Sequence, residues 1–180
     1  MSSISIAGDT SGSITLSAPA VSGTNTATLP AATGTVMVSG NMPAFSAYQS
    51  TLQSTGSGAF TKVQFQTKEF DTANCYDNAT NYRFTPTTAG YYQVSSGIAL
   101  AVSATGLVLI SIYKNGSEFK RGNVIGNNAA GVLAVVGSLI YCNGSTDYLE
   151  IYSYQSSGIA LNTVAQQVQT YFQSAMVRAA

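Results

Sequence analysis

The chain has 180 residues with seven basic and seven acidic side chains, so its formal net charge is zero and charged residues make up only 8%. That balance leaves no electrostatic footprint for nucleic acid, and the absence of any histidine removes the commonest general base and metal ligand together. A neutral, charge-poor surface is a solubility risk for a free monomer and is easier to understand where much of it is buried in an assembly.

Residues 1–42 read as an extended arm. Asp9 is the only charge before Lys62, and Ser, Thr, Ala and Gly dominate. Short alternations at Ser3-Ile4-Ser5-Ile6 and Ser13-Ile14-Thr15-Leu16 are separated by Gly8-Asp9 and Ser11-Gly12, and similar ones follow at Ala27-Thr28-Leu29-Pro30 and Gly34 to Val38. Each can form a short strand, but none has enough apolar residues to close a core alone. Composition alone also allows a disordered linker. The arm has neither the basic nor the apolar region of a secretory signal.

Residues 43–180 read as one β domain. A first strand is expected from Ala44 to Gln49, then a Ser/Gly-rich loop (Ser54 to Gly58) and a short strand from Phe60 to Phe65. Asp71 to Asn81, rich in Asp, Asn and Thr, reads as loop. Pro86 and Gly90 mark a chain reversal, because Pro fixes φ and Gly takes the positive φ other residues resist. Tyr92, Val94, Ile98, Leu100 and Val102 then alternate along a long, half-buried strand, with Ser96 the one polar break. A turn at Ser103 to Gly106 leads into Leu107 to Lys114. Asn115-Gly116 is the strongest hairpin signal, since both central residues of that turn want positive φ. Glu118 to Gly122 returns, Asn123 to Gly131 reads as loop, and strands follow at Val132 to Tyr141, Tyr148 to Tyr154 and Gln167 to Val177. Asn143-Gly144 repeats the turn chemistry. The longest apolar run, Val132 to Cys142, is interrupted by Gly137 and Ser138 and falls short of the ~20 residues a membrane helix needs; a soluble chain without membrane insertion is expected. About ten strands at this spacing make a two-sheet sandwich.

Phe65, Asp71, Tyr76, Phe84, Gly90 and Tyr92, in this order and spacing, resemble the signature of the complement C1q globular head, whose fold is shared with tumour necrosis factor. The family has one residue fewer between the third and fourth anchors and prefers aromatics where Val94 and Ser96 stand, as suits a phage or bacterial version. Tyr113-Lys114-Asn115-Gly116 is similar to the family's mid-domain hairpin, Gly144 to Leu149 to one of its strand starts, and Tyr171-Phe172-Gln173-Ser174 to its closing strand. The resemblance covers roughly residues 43–178. It implies an all-β, ten-strand, two-sheet jelly roll (C1q/TNF-like) behind the extended N-terminal arm, and a homotrimer with Tyr171 near the three-fold axis. Residues Gly8 to Val36 resemble short modules that recur in tailed-phage virion proteins, often ahead of a fibre or spike domain.

Candidates for chemistry are thin. Asp71 with Asp77, or Asp147 with Glu150, would be the carboxylate pairs for glycoside hydrolysis; turn and strand-start roles suit them better, and no enzyme and no cofactor are expected. Asp71, Asp77 and Asn78 form the only local cluster for calcium. Asn78, Asn115 and Asn143 fit the glycan-acceptor pattern but read as turn residues. Cys75 and Cys142 are either a disulfide, if the fold brings them together, or two idle thiols. Lys114, Lys120 and Arg121 would either contact an anionic polysaccharide or blunt a sheet edge. Tyr148, Tyr152 and Tyr154 alternate with Leu149, Ile151 and Ser153, so one set faces a core and the other faces outward. Exposed Tyr on a strand suits a protein or sugar interface. These three and Tyr171 are the trimer-interface candidates.

The expected function is a phage virion protein, assembled in the host cytoplasm. It would be a homotrimeric short tail fibre or spike whose arm docks on other virion proteins while the head meets host-surface polysaccharide or protein. Capsid decoration is the alternative on the same fold, and a bacterial lectin-like surface module is a third. Loops 71–81, 123–131 and 155–163 are the receptor-contact candidates by position.

Overall fold

Alternation along Gly90–Leu100 sets the architecture. Tyr92, Val94, Ser96, Ile98 and Leu100 turn inward and are buried, while Tyr91 and Gln93 face out. The computed structural model describes residues 3–21, 23–28, 31–101, 103–128 and 132–180. Val102, Leu29, Pro30 and residues 129–131, all named in the sequence reading, lie outside them.

The strands in chain order are β1 (Ser3–Ala7), β2 (Ser13–Ser17), β3 (Ala44–Tyr48), β4 (Ser54–Thr55), β5 (Phe60–Lys62), β6 (Thr67–Asp71), β7 (Tyr76–Asp77) and β8 (Arg83–Phe84). They continue with β9 (Gly90–Leu100), β10 (Ser103–Lys114), β11 (Ser117–Asn128), β12 (Val132–Cys142), β13 (Leu149–Gln155), β14 (Leu161–Asn162) and β15 (Tyr171–Ala179). No α-helix occurs among the described residues, only a 3-10 turn at Ser39–Asn41.

The chain separates into two units, Met1–Gly34 and Thr35–Ala180. In the first, β1 and β2 pair antiparallel, where the sequence places its first two alternations. In the second, two antiparallel sheets form a sandwich. One has the order β12-β9-β15-β3-β6; the other runs β11-β10-β13-β8-β7, with β5 also paired to β13. A small β14-β4 pair closes one end.

The core between the sheets is aromatic at its centre. Phe45 stacks on Tyr76 at 4.7 Å and on Phe84 at 4.6 Å, and Phe172 meets Phe45 edge-on at 4.9 Å. Such pairs contribute beyond the area they bury, ~0.5–1.5 kcal/mol each. Phe65, Phe84 and Tyr92 are fully buried, and the Tyr76 hydroxyl donates to the Phe65 carbonyl at 3.2 Å. Cys75 and Cys142 are both buried and both free, so the idle-thiol reading describes them.

Five expectations need correction. Within the expected loop Asp71 to Asn81, Tyr76–Asp77 is strand β7, paired with β8, and the closing strand expected from Gln167 begins only at Tyr171, after a turn. The strand β6 stands where no strand was expected; its Thr-Lys-Glu-Phe-Asp sequence lacks an apolar alternation because it is a sheet edge. The expected turn at Ser103 to Gly106 is instead the start of β10. Gly106, at φ 91°, takes up a bulge opposite β11, and a Cβ there would sit 2.5 Å from the Ser156 carbonyl. The expected loop from Asn123 is strand as far as Asn128, with Val124, Ile125 and Gly126 paired to Leu109, Val108 and Leu107. Gly122 and Gly126 interrupt its pattern without ending it. The receptor-contact candidate 123–131 is therefore mostly sheet.

Candidate functional site

The five-stranded sheet has one face on the core and one face open. Register lines up rows of side chains on the open face: Tyr141, Tyr91 and Arg178; Leu139, Gln93, Ala175 and Ala44; Gly137, Ser95, Gln173, Ser46 and Phe70; Val135, Gly97, Tyr171 and Tyr48. In the two middle rows large apolar groups, Leu139 and Phe70, stand at the edges and small or amide side chains lie on the inner strands. On the edge strand β12, Leu133, Val135, Leu139 and Tyr141 are 45%, 43%, 54% and 43% exposed. Phe70, on the opposite edge, is 51% exposed. Between them a hollow of about 270 Å³ is floored by small residues and rimmed by Phe70, Gln93 and Gln173.

β12 is apolar on both faces, and that separates it from a surface strand. Val132, Ala134, Val136, Ile140 and Cys142 fill the core while their neighbours point to water. A strand with one solvated face normally alternates with polar residues there. Its free backbone edge is partly closed from β11, where the Asn123 side-chain oxygen accepts from Val135 N–H at 2.7 Å. Gly122 makes that approach possible, because a Cβ would sit 2.2 Å from the Val135 carbonyl.

One end of the open face carries cations over aromatic rings. Tyr91 and Tyr141 lie 5.5 Å apart, and the Arg178 guanidinium sits 5.9 Å from the Tyr91 ring centre. Lys114 reaches 5.7 Å from the Tyr141 ring and 5.9 Å from Phe119, donates to the Tyr141 carbonyl at 2.7 Å, and pairs with Asp147 at 2.9 Å. Of the basic group, Arg121 pairs with Glu118 at 2.7 Å and Lys120 lies 5.3 Å from the Phe119 ring.

The four candidate tyrosines do not share a surface. Tyr171 lies on the five-stranded sheet with its ring over Gly97, where a Cβ would come within 2.8 Å of it. Tyr148, Tyr152 and Tyr154 belong to the outward side of the other sheet. There Tyr152 stacks on Tyr113 at 3.9 Å, and Phe60 joins Tyr113 at 5.9 Å to Tyr154 at 5.3 Å. Glu150, buried beneath this row, pairs with Lys62 at 2.6 Å. Tyr148 holds the Arg83 guanidinium 4.4 Å over its ring.

The carboxylates are occupied in structural roles. Burial alone would raise the Asp71 pKa, but amide hydrogen bonds from Tyr76 and Cys75 and the Lys68 ammonium together hold it below 3.8. Asp77 accepts from the amides of Thr80, Ala79 and Asn81, which push its pKa far down and shape the 78–81 turn. Asn78 donates to the Gln66 carbonyl at 2.7 Å. Asp147, whose burial opposes ionisation, is held ionised by Asn115, Lys114 and the Asn143 amide. Among the described residues no group of three or more His, Cys, Asp or Glu is arranged to hold a metal ion, and no helix is long and apolar enough to cross a membrane.

Comparison with known proteins agrees with this arrangement at the level of fold. No family profile and no curated protein matches the chain. Among solved structures, the globular domain of zebrafish complement 1qA superposes with a TM-score of 0.54 at 14% identity, covering 77% of this chain and 99% of that one. Murine APRIL superposes at 0.56 with 11% identity, covering 76% and 99%. Eiger TNF from S. frugiperda does so at 0.56 with 9% identity, covering 77% and 93%. The fold is the C1q/TNF-like jelly roll. Within that jelly roll, Phe65, Asp71, Tyr76, Phe84, Gly90 and Tyr92 all sit in or against the core. The open apolar face of β12 escaped sequence reading, although both parities of Val132 to Cys142 are apolar. That double pattern was the available signal.

Proposed function

We propose that this chain is a non-enzymatic virion attachment protein, a homotrimeric short tail fibre or spike, whose jelly rolls meet through the open face of the five-stranded sheet. The observation that carries the reading is the row Leu133, Val135, Leu139 and Tyr141 turned to solvent on an edge strand, in a chain with few charges to keep such a surface apart. Fully burying a side chain of this size contributes ~1.5–3 kcal/mol. The apolar edge and the small-floored hollow are different surfaces, as a head-to-tail contact requires, and such contacts close into a ring when the rotation permits. The C1q/TNF-like fold supports three as the number of copies. The likeness of residues 8–36 to tailed-phage modules supports the virion assignment.

In this arrangement the outward aromatic row Phe60, Tyr113, Tyr152 and Tyr154 stays on the outside of the trimer. Rigid rings beside paired charges suit weak contacts with host-surface sugar or protein, and three copies turn weak contacts into avidity.

Light scattering of the purified chain is expected to give three times the monomer mass, and Leu139→Glu is expected to give the monomer mass with an unchanged β spectrum. A wild-type monomer would overturn the trimer. Antibody labelling of intact particles tests the rest. Label at the tail tip supports a fibre or spike, label over the head lattice replaces it with capsid decoration, and no label on any particle returns the chain to a bacterial surface module.

A further inference from the structure

The β1–β2 hairpin raises a separate question. Its register pairs Ile4 with Leu16 and Ile6 with Ile14. Four large aliphatic side chains therefore share one face, while Ser3, Ser5, Thr15 and Ser17 occupy the other. The four are 67%, 58%, 56% and 69% exposed in the order Ile4, Leu16, Ile6, Ile14. A lone two-stranded hairpin is marginal in water, and among the described residues of the Met1–Gly34 unit none buries this face.

We propose that the occupant of this face is the same hairpin from the other two copies. Ile4, Ile6, Ile14 and Leu16 of three chains would close one apolar core around the three-fold axis. The proposal rests on the trimeric reading above, and two observations select a like partner over a different one.

The first is electrostatic. Partners of unlike sequence are commonly selected by complementary charge, yet between Met1 and Thr61 the only charge is Asp9, in the turn beyond the aliphatic face. Such a face offers a foreign surface nothing to discriminate and offers its own copies nothing to repel. Neither strand carries the charge, Pro or bulge that normally blunts an exposed edge, so close approach of further copies is not opposed there.

The second is reach. The segment from Ala18 to Gly34 spans ~50 Å when extended at about 3.3 Å per residue, so three hairpins tethered to one trimer can meet. Their effective concentration is then on the order of millimolar, enough for a modest contact to close. The consequence is a single bundled stem in place of three independent tethers, presenting its Ser/Thr faces outward.

Cysteine cross-linking in the full chain tests this. Ile6→Cys places a thiol on the aliphatic face and Ser5→Cys places one on the opposite face, while Cys75 and Cys142 stay buried. Under mild oxidation the Ile6→Cys trimer is expected to yield covalent dimers at least tenfold more than the Ser5→Cys trimer, independent of dilution. Adding Ile14→Asp should abolish the cross-link while light scattering still reads a trimer. A trimer by mass whose Ile6→Cys cross-links no more than Ser5→Cys overturns the bundled stem and leaves the trimeric jelly roll standing. A monomer by mass with no cross-link overturns both.

Discussion

Asp71 shows how much of this fold hangs on single polar side chains. Its carboxylate takes the amides of Cys75 and Tyr76 and the Lys68 ammonium at 2.9–3.0 Å, fixing the start of the 72–76 turn beneath the aromatic core. Because its folded pKa lies below the unfolded value near 3.8, the stability it contributes is complete above that value and is lost as pH falls through the folded one. Asp77 and Asp147 shift in the same direction. Denaturant midpoints should therefore be level from pH 7 to about 5 and fall below about 4. Asp71→Asn should lower the unfolding free energy at neutral pH by about 2–3 kcal/mol, since one amide then faces a donor instead of an acceptor, and should flatten part of the acid slope. Gly144 gives a second residue-scale test. It sits at φ 72°, and a Cβ would lie 2.3 Å from Ala89 N. Gly144→Ala should cost more than ~2 kcal/mol in thermal or chemical unfolding, although it adds a single methyl group to a surface turn.

At the scale of the element, β12 has adjacent residues with opposite tasks. Ile140 is buried in the core and Leu139 is 54% exposed on the other side. Ile140→Ala should lose ~2–5 kcal/mol of folding stability by leaving a cavity. Leu139→Glu should leave folding nearly unchanged and show its effect in assembly mass alone. The pair separates the core face of one strand from its exposed face. This is also where sequence reading stopped: Val132 to Cys142 is one apolar run, and a run without alternation does not say which parity faces the core. Where alternation was clean, as from Tyr92 to Leu100, the strand and its buried face were legible. Polar edge strands such as β6 carry no such pattern, because an edge is defined by what pairs with it and not by its own residues. The tyrosines attracted attention by residue type, and only the sheet order tells that Tyr152 and Tyr171 stand on opposite sheets.

Across the whole molecule, landmark residues with a packing reason were readable from sequence: the aromatic anchors, the Asn115-Gly116 turn and the hairpin alternation of the arm. What depends on long-range register, including the rows across the open face and the extension of β11 to Asn128, was not, since residues far apart in sequence decide it. The two thiols, left open by sequence, carry a practical consequence. Cys142 is sealed in the core on β12, with burial pushing its pKa up to about 11, and Cys75 is sealed beside the Asp71 turn. Cys142 therefore presents no reactive thiolate at neutral pH, and burial shields both sulfurs from solvent. The chain thus carries two built-in reporters, one at the end of β12 and one in the connection between β6 and β7, that a thiol-reactive dye reaches only when the sandwich parts. Without denaturant, labelling should take hours and should claim both sulfurs together; capture of Cys142 alone within minutes would reveal that β12 peels away while the rest of the sandwich holds.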